Sequence, residues 1–141
     1  MRVITGSARG RKLKTLEGND VRPTTDKVKE AVFSVLQFDI EGRRVLDLFA
    51  GSGQLGIEAL SRAAASAVFV DCSKRSIAVV NDNLASTSLA ENARVVMSDF
   101  AVAVCEHPTD EKLPDSAPGL TLAKRYKYGK TTVSVYRKDG Q

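Results

Sequence analysis

The chain has 141 residues, of which 43% are apolar and 27% charged, as in an ordinary globular domain, so we expect a single domain over residues 1–141. The composition excludes a membrane protein of helical type, because no apolar run approaches the roughly 20 residues that a membrane span needs. Residues 1–5 lead into charge rather than into a signal-peptide core, so a cytoplasmic location is expected. Cys72 and Cys105 lack metal-ligand spacing, which predicts buried thiols and no metal site.

The charge is distributed unevenly along the chain. A formal net charge of +4 divides into +4 over residues 1–30, −5 over residues 31–115 and +5 over residues 116–141. Five basic residues precede the first acidic one: Arg2, Arg9, Arg11, Lys12 and Lys14. Basic ends suit a phosphate backbone, although a solvated basic surface is the alternative that charge alone leaves open.

The first predicted elements are a hairpin and a helix. Residues 1–5 and 11–15 form two short extended runs around a glycine-flanked tip, which predicts a basic β-hairpin. Pro23 and the two threonines after it mark a helix start, and the helix should run to about Gln37. Its apolar stripe, expected to pack on the main core, consists of Val28, Val32, Val35 and Leu36.

Strands and helices then alternate. Residues 45–49, 67–71 and 94–97 are apolar runs that predict strands, and helical spacing follows the first two runs. This β-α-β-α-β order is typical of a doubly wound parallel sheet of the α/β class. Residues 120–128 and 131–137 predict an antiparallel hairpin, which we expect at the edge of that sheet.

One junction does not fit this alternation. Only three residues separate Met97 from the next apolar run, whereas a parallel neighbour needs a crossover of a dozen or more. A single strand over residues 94–106 would be about twice the usual length, and a helix opening after Ser98 or Asp99 would have no room before Pro108. A strand-helix-strand's length of chain, about 30 residues or more, is therefore expected to be missing here.

A glycine-rich turn follows the first predicted strand. Gly51 and Gly53 allow a tight bend and close approach of a ligand, while Gly56 permits close packing of helix on strand. Asp71, at the end of the second strand, can accept hydrogen bonds from two ribose hydroxyls. Glycine spacing alone is shared with nicotinamide and flavin enzymes, and a turn without a ligand is a further alternative. Asp47 would repel a pyrophosphate and attract the cationic amino-acid end of S-adenosylmethionine, so that cofactor is predicted.

Two residues after the third strand complete the predicted nucleoside site. Asp99 is placed to accept a hydrogen bond from the adenine amino group, and Phe100 could stack on the adenine ring. The two tail strands also carry aromatic residues, namely Tyr126, Tyr128 and Tyr136, which we expect to pack in the sheet rather than stack on bases.

Several separated motifs now agree in order. They occupy residues 1–10, 22–30, 45–53, 56–62, 106–108 and 125–131. Together they resemble the bacterial small-subunit ribosomal RNA guanine-N2 methyltransferase family over nearly the whole chain. The resemblance implies the Rossmann-like fold of S-adenosylmethionine-dependent methyltransferases. It also implies methylation of the exocyclic N2 amine of one guanine in ribosomal RNA.

The resemblance also assigns roles to residues. Arg22, Pro23 and Thr24 would close over the amino-acid end of the cofactor. The other expected cofactor contacts are Asp47, Phe49, Ala50, Gly51, Gly53, Asp71, Cys72, Asp99 and Phe100. The basic hairpin would hold RNA through Arg2, Arg9, Arg11, Lys12 and Lys14. A monomer that works on ribosomal RNA or on the assembling small subunit is expected, with no membrane partner.

The chain departs from the family where length is missing. Family members carry an Asp-Pro-Pro-Tyr or Asn-Pro-Pro-Tyr motif after a fourth strand, and no two prolines are adjacent here. Residues 104–106 resemble the fifth strand, whereas residues 101–102 resemble the start of the helix after the third. Without that motif the guanine amine and base have no positioning device.

The missing motif limits the predicted activity. Glu106 and His107 receive no catalytic role, because methylation of an amine mainly needs orientation of the acceptor. No catalytic residue is therefore predicted, and the chain should be inactive or nearly so. The alternatives are a non-enzymatic remnant that binds RNA and S-adenosylmethionine, and a dinucleotide-binding domain.

Overall fold

A computed structural model describes residues 1–16, 26–99, 102–117 and 119–140. Its helices are α1 (Asp26–Leu36), α2 (Gln54–Ser61), α3 (Lys74–Thr87) and a short 3-10 helix (Ala90–Asn92). Its strands are β1 (Arg44–Leu48), β2 (Ser66–Asp71), β3 (Ala93–Met97), β4 (Val102–Pro108), β5 (Ser116–Ala117), β6 (Leu120–Tyr128) and β7 (Thr131–Lys138). The chain divides into two compact units, residues 1–98 and 99–141, and the single domain expected from its length stays a prediction. None of the helices within the described ranges has the length and apolar character to cross a membrane.

The first unit contains a parallel sheet in the order β1-β2-β3. Val45 is the partner of Ala67 in the first pair of strands, and Val68 is the partner of Arg94 in the second. Helices α2 and α3 connect the strands, so the predicted β-α-β-α-β order is confirmed, as is the α/β class. The continuous apolar character of the strands is typical of a parallel sheet, whose strands are buried more than those of an antiparallel one.

The core of this unit lies between the sheet and the helices α2 and α3. Ile57, Phe69 and Val80 have no exposed surface. Gly56 is required by this packing, since a Cβ there would lie 2.3 Å from Cε1 of Phe69. Helix α3 begins after Ser73, whose hydroxyl accepts a hydrogen bond from the backbone N–H of Ser76 at 3.3 Å.

Helix α1 buries a different face from the predicted one. The expected core residues are exposed by 51% at Val28, 39% at Val32, 78% at Val35 and 37% at Leu36. The buried residues are Lys29 and Phe33. The prediction was wrong because it weighed apolar spacing alone, whereas Lys29 has a buried carboxylate partner and Phe33 lies 4.8 Å beneath the Arg62 guanidinium.

The second unit is an antiparallel sheet in the order β4-β7-β6-β5. The hairpin of β6 and β7 is confirmed, with Tyr126 opposite Val133 and an irregularity between Leu122 and Lys124. The hairpin belongs to its own sheet, and not to the edge of the parallel one as expected. Residues 102–108 form a strand that pairs with β7, so the helical alternative for this segment is not observed.

The missing length explains why the described strands form two sheets. In the usual doubly wound order 3-2-1-4-5-6, the fourth strand lies beside the first and connects the two halves of the sheet. In the described part of this chain, β2 is the strand that pairs with β1, and β4 pairs with β7. The absence of a connecting strand therefore leaves each half with hydrogen bonds of its own.

Candidate functional site

The glycine-rich turn is a strained bend between β1 and α2. Phe49, Gly51 and Gly53 have φ angles of 58°, 58° and 81°, in the left-handed region that favours glycine. The bend is held by the Ala50 N–H, which donates to the Val70 carbonyl at 2.9 Å, and by the Gly53 N–H, which donates to the Ala50 carbonyl at 2.7 Å. Its backbone is therefore fixed before any ligand arrives.

Asp47 lies buried below this bend. One of its carboxylate oxygens accepts a hydrogen bond from the Gly56 N–H at 3.0 Å, and the residue is 8% exposed. Burial raises the pKa of Asp47 to about 6; the Gly56 hydrogen bond opposes this shift, and the negative charge of Asp71 adds to it. An ionised carboxylate in this position gains from a nearby cation.

Asp71 binds the bend from the end of β2. Its Oδ2 accepts from the Gly51 N–H at 2.9 Å, and its Oδ1 accepts from the Ser73 N–H at 2.9 Å. A carboxylate has about four lone-pair positions, so two remain for further donors such as ribose hydroxyls. Asp71 thus shapes the bend and keeps capacity for a ligand.

The acceptor groups around the bend fit a nucleoside that carries a cationic group. Two carboxylates, Asp47 and Asp71, interact electrostatically there, which disfavours a diphosphate. At the start of α2, Gln54 is 5% exposed and its Oε1 has no hydrogen-bond partner among the described residues. A buried acceptor of this kind can receive a ligand's N–H or O–H.

The remaining predicted cofactor residues are placed as follows. Phe49 is 45% exposed and Ala50 is buried. Cys72 is exposed, so its expected burial was wrong: it follows the end of β2 and lies in a turn rather than in the sheet. Asp99 belongs to the second unit, where it accepts a hydrogen bond from Lys138 Nζ at 3.0 Å. The predictions for Arg22, Pro23, Thr24 and Phe100, and for the Cys105 side chain, lie outside the described residues.

The amino-terminal hairpin forms as predicted. The Val3 N–H donates to the Arg11 carbonyl at 3.0 Å, the Leu13 N–H donates to the Met1 carbonyl at 2.8 Å, and Arg2 bridges to Lys12. Val3, Ala8 and Leu13 turn into the core. The five basic residues, Arg2, Arg9, Arg11, Lys12 and Lys14, are all exposed. Val3 and Leu13 thus face the core, whereas the basic side chains reach solvent. Two of them contact α3: the Arg11 guanidinium donates to the Ser86 carbonyl at 3.5 Å, and Lys14 Nζ lies 2.8 Å from Asp82 Oδ2.

A buried charged cluster fastens this hairpin to the helices. The Glu58 carboxylate accepts from the N–H groups of Ile4 and Thr5 at 2.9 and 3.0 Å. Lys29 Nζ lies 3.6 Å from Glu58 Oε2 and donates to the Arg2 carbonyl at 2.7 Å, and both charged side chains are fully buried. This cluster was not predicted from the sequence, although a glutamate inside the apolar run of α2 was a visible signal.

Asn83 connects the hairpin to the glycine bend directly. Its Oδ1 accepts from the Lys14 N–H at 2.8 Å, and its Nδ2 donates to the carbonyls of Lys14 at 3.0 Å and Ser52 at 2.9 Å. The side chain is 1% exposed. Sequence analysis also missed Asn83; its position three residues after the core residue Val80 was the available signal.

Helix α1, strand β1 and helix α2 also enclose an apolar cleft of about 160 Å³. Phe33, Leu36, Val45 and Leu55 are among its lining residues. Ligand pockets usually hold roughly 300 Å³ or more, so this cleft is too small for a nucleoside and reflects incomplete packing beside α1.

Comparisons with known proteins agree with this geometry. A family model described as "Conserved hypothetical protein 95" matches residues 1–104. The Bacillus subtilis protein YlbH, which its name proposes to be an rRNA methyltransferase, is 35% identical over 184 residues, with 99% of this chain and 100% of that protein covered. This chain belongs to the small-subunit ribosomal RNA methyltransferase family.

Other members of the family extend the comparison. Ribosomal RNA small subunit methyltransferase D of Escherichia coli is 46% identical over 99 residues, which cover 70% of this chain and 50% of that protein. Among solved structures, the Escherichia coli protein yhhF, named as a proposed methyltransferase, is 28% identical with a TM-score of 0.62, and covers 100% of this chain and 99% of that one. The Escherichia coli methyltransferase and the solved structure therefore indicate the same family and the same fold as the features described above.

The family comparison also measures the missing length. The alignment with YlbH runs over 184 residues, whereas this chain has 141, so roughly 40 residues of the relative have no counterpart. Because that alignment covers nearly all of both proteins, the difference is internal. The chain is shorter than its relatives, as the three-residue junction after Met97 predicts.

Proposed function

We propose that this member of the family binds S-adenosylmethionine at the glycine bend. The observation that carries the proposal is the pair of carboxylates, Asp47 and Asp71, that hold the bend at Gly56 and Gly51. The cofactor would supply a methyl group activated on a sulfonium. Asp47 would face its cationic amino-acid end, and Asp71 would accept from the ribose hydroxyls, while Phe49, Ala50, Gly51, Gly53 and Cys72 line the site.

The outer contacts of the cofactor are proposed from the motifs alone. Asp99 would accept from the adenine amino group and Phe100 would stack on the ring. Arg22, Pro23 and Thr24 would cover the amino-acid end. These assignments rest on the resemblance of the motifs to the family.

The proposed substrate is small-subunit ribosomal RNA. Relatives of this chain are named as methyltransferases of that RNA, and the exposed basic residues of the hairpin suit a phosphate backbone. We propose that family members with the complete chain methylate the exocyclic N2 of a guanine. We propose that the protein acts as a monomer in the cytoplasm.

We infer that this chain binds cofactor and RNA but transfers methyl groups poorly or not at all. The Asp-Pro-Pro-Tyr or Asn-Pro-Pro-Tyr motif is absent, and the four prolines stand alone at Pro23, Pro108, Pro114 and Pro118. Without those acceptors and that ring, a guanine amine has no group to direct its lone pair at the methyl carbon, and orientation supplies most of this catalysis.

A transfer assay with labelled S-adenosylmethionine tests the enzymatic part. The acceptor is unmethylated small-subunit RNA or subunits, and full-length YlbH serves as the positive control. We expect YlbH to label the RNA and this chain to remain at background. Turnover by this chain well above background would overturn the claim that the missing segment is needed.

Calorimetry tests the cofactor part separately. We expect S-adenosylmethionine to bind and Asp71→Asn to weaken it, because the amide presents fewer acceptor positions than the carboxylate to both the Gly51 N–H and the ribose. Binding of a nicotinamide dinucleotide without binding of S-adenosylmethionine would instead support a dinucleotide-binding domain.

A further inference from the structure

Strand β6 presents three alternating side chains on one face of its sheet: Lys124, Tyr126 and Tyr128, hereafter the aromatic strip. Tyr126 is 40% exposed and Tyr128 is 65% exposed. The ammonium of Lys124 lies 4.9 Å from the centroid of the Tyr126 ring. Successive members of the strip are two residues apart, so they are separated by about 7 Å along the strand.

The exposure of these rings differs from the sheet packing expected of all three tyrosines. Tyr136 does pack, being 5% exposed, and its hydroxyl donates to the Pro114 carbonyl at 2.7 Å. Tyr126 and Tyr128 instead keep much of their ring surface in contact with solvent. Tyr126 lies opposite Val133 in the register, and a half-buried β-branched neighbour supports the ring from the side.

The hairpin that carries the aromatic strip has further exposed positive charges. Lys127, Lys130 and Arg137 are exposed on the same hairpin. Among the side chains that the structure describes, no carboxylate forms an ion pair with Lys124 or with any of these three. Arg125, by contrast, is held by Asp115 at 3.0 Å and so stabilises the hairpin instead of offering a free charge.

Exposed rings interleaved with lysines fit one class of ligand. Protein interfaces deplete lysine around their buried aromatic residues, which makes a protein partner a poor match. Single-stranded nucleic acid offers both a π-face for each ring and a phosphate for each ammonium. Duplex RNA does not match, because its bases are already stacked on one another.

We propose that the aromatic strip binds a single-stranded segment of RNA, with bases stacked on Tyr126 and Tyr128 and phosphates beside Lys124 and Lys130. The proposal rests on the proposed function in taking RNA as the substrate. It extends that function by adding a second RNA surface, separate in sequence from the basic amino-terminal hairpin. The strip would hold an unpaired region of the RNA rather than its helical parts.

Intrinsic tyrosine fluorescence of the full chain can report this contact directly. The chain has no tryptophan and three tyrosines, of which only Tyr136 is buried. We expect a single-stranded oligouridylate of about twelve nucleotides to quench the emission saturably, and the same strand annealed to oligoadenylate to bind at least fivefold more weakly. Absence of quenching with the single strand would contradict the proposal.

Matched variants separate stacking from general charge. Tyr126→Ala and Tyr128→Ala should each weaken binding of a labelled oligouridylate by about fivefold or more, since stacking on one aromatic residue contributes at least that factor. The double variant Tyr126→Phe with Tyr128→Phe should bind within about twofold of the parent while losing the fluorescence signal. Circular dichroism checks that each variant is folded. Unchanged affinity in the alanine variants, or equal affinity for polyglutamate, would overturn the proposal.

The two proposals fail in different ways. If the alanine variants bind oligouridylate normally while the chain still binds S-adenosylmethionine, the aromatic strip is not an RNA surface and the proposed function stands. If the alanine variants lose binding but the chain does not bind S-adenosylmethionine, the aromatic strip stands and the proposed function fails.

Discussion

At the scale of single residues, Asp47 shows a conflict between stability and binding. The side chain is buried and its pKa is raised to about 6, so the folded chain holds a proton near pH 5 that the unfolded chain releases. The contribution of Asp47 to the free energy of unfolding therefore falls as pH rises from about 4 to about 6. Above pH 6 its buried charge costs about 3 kcal/mol, from a shift of about two pKa units.

Asp47→Asn should stabilise the chain at high pH. The amide oxygen can still accept from the Gly56 N–H, and no charge is buried. We expect the unfolding free energy of the variant to exceed that of the parent by about 2–3 kcal/mol at pH 8, with the difference shrinking toward zero near pH 4. Urea unfolding at pH 4, 6 and 8 measures this, with the exposed Asp39→Asn as the control. A difference independent of pH would contradict the role of the Asp47 charge.

The same variant should bind the proposed cofactor more weakly. Loss of the carboxylate removes the attraction for a cationic amino-acid end, so we expect at least a tenfold higher Kd for S-adenosylmethionine at pH 8. Affinity of the parent chain should rise with pH through about 6, as Asp47 ionises. A variant that is more stable and binds less well would be typical of a functional site.

At the scale of elements, the amino-terminal hairpin is fixed to α1 and α2 by buried charges and amides. Glu58 accepts two backbone N–H groups of the hairpin and lies beside Lys29, which itself holds the Arg2 carbonyl. Asn83 adds two hydrogen bonds to Lys14 of the hairpin and one to Ser52 of the glycine bend. A surface proposed to hold RNA is therefore continuous with the elements that form the proposed cofactor site.

Glu58→Gln should destabilise the chain strongly. The change leaves the Lys29 ammonium buried without a counter-charge, and breaking such a pair from one side destabilises proteins by about 3–5 kcal/mol. Adding Lys29→Met should recover part of the loss, so that the double variant loses less than the sum of the single ones. Urea unfolding and hydrogen exchange at the Ile4 and Thr5 amides measure this, with exposed Glu91→Gln as the control. Additive losses would argue against coupling of the two charges.

At the scale of the whole molecule, charge is separated along the chain. The basic termini flank a middle segment of −5, and the hairpin's basic residues are exposed. Binding to RNA should therefore weaken steeply with salt, because each phosphate that the protein neutralises releases counterions. We expect this salt dependence because the basic residues are concentrated at the two ends of the chain, and not because of the small net charge of +4.

Replacement of Arg9, Arg11 and Lys12 with alanine should flatten that salt dependence. We expect the slope of log affinity against log salt to fall by roughly 0.7 to 0.9 for each phosphate that the variant no longer neutralises. Fluorescence anisotropy with labelled small-subunit RNA fragments measures the slope. A variant with Arg43, Arg44 and Arg94 replaced removes the same charge from other exposed positions. Equal slopes in the two variants would exclude the hairpin as a specific RNA surface.

The features predicted correctly from the sequence depend on residues close together in the chain. The alternation of apolar runs predicted β1, α2, β2, α3 and β3, because propensity, capping and periodicity depend on neighbouring residues. Three further features were predicted from the spacing of residues within short stretches. They are the glycine bend with its two carboxylates, the basic hairpin and the missing crossover.

Which side chains are buried depends instead on contacts between distant parts of the chain. Lys29 is buried, whereas Val35 and Cys72 are exposed. Glu58 and Asn83 accept or donate hydrogen bonds to segments far away in the sequence. Strands β6 and β7 belong to a sheet separate from the parallel one. A charged or polar side chain can be buried in the core when a residue far away in the sequence supplies its hydrogen bond or opposite charge. Neighbouring residues alone do not reveal such a partner.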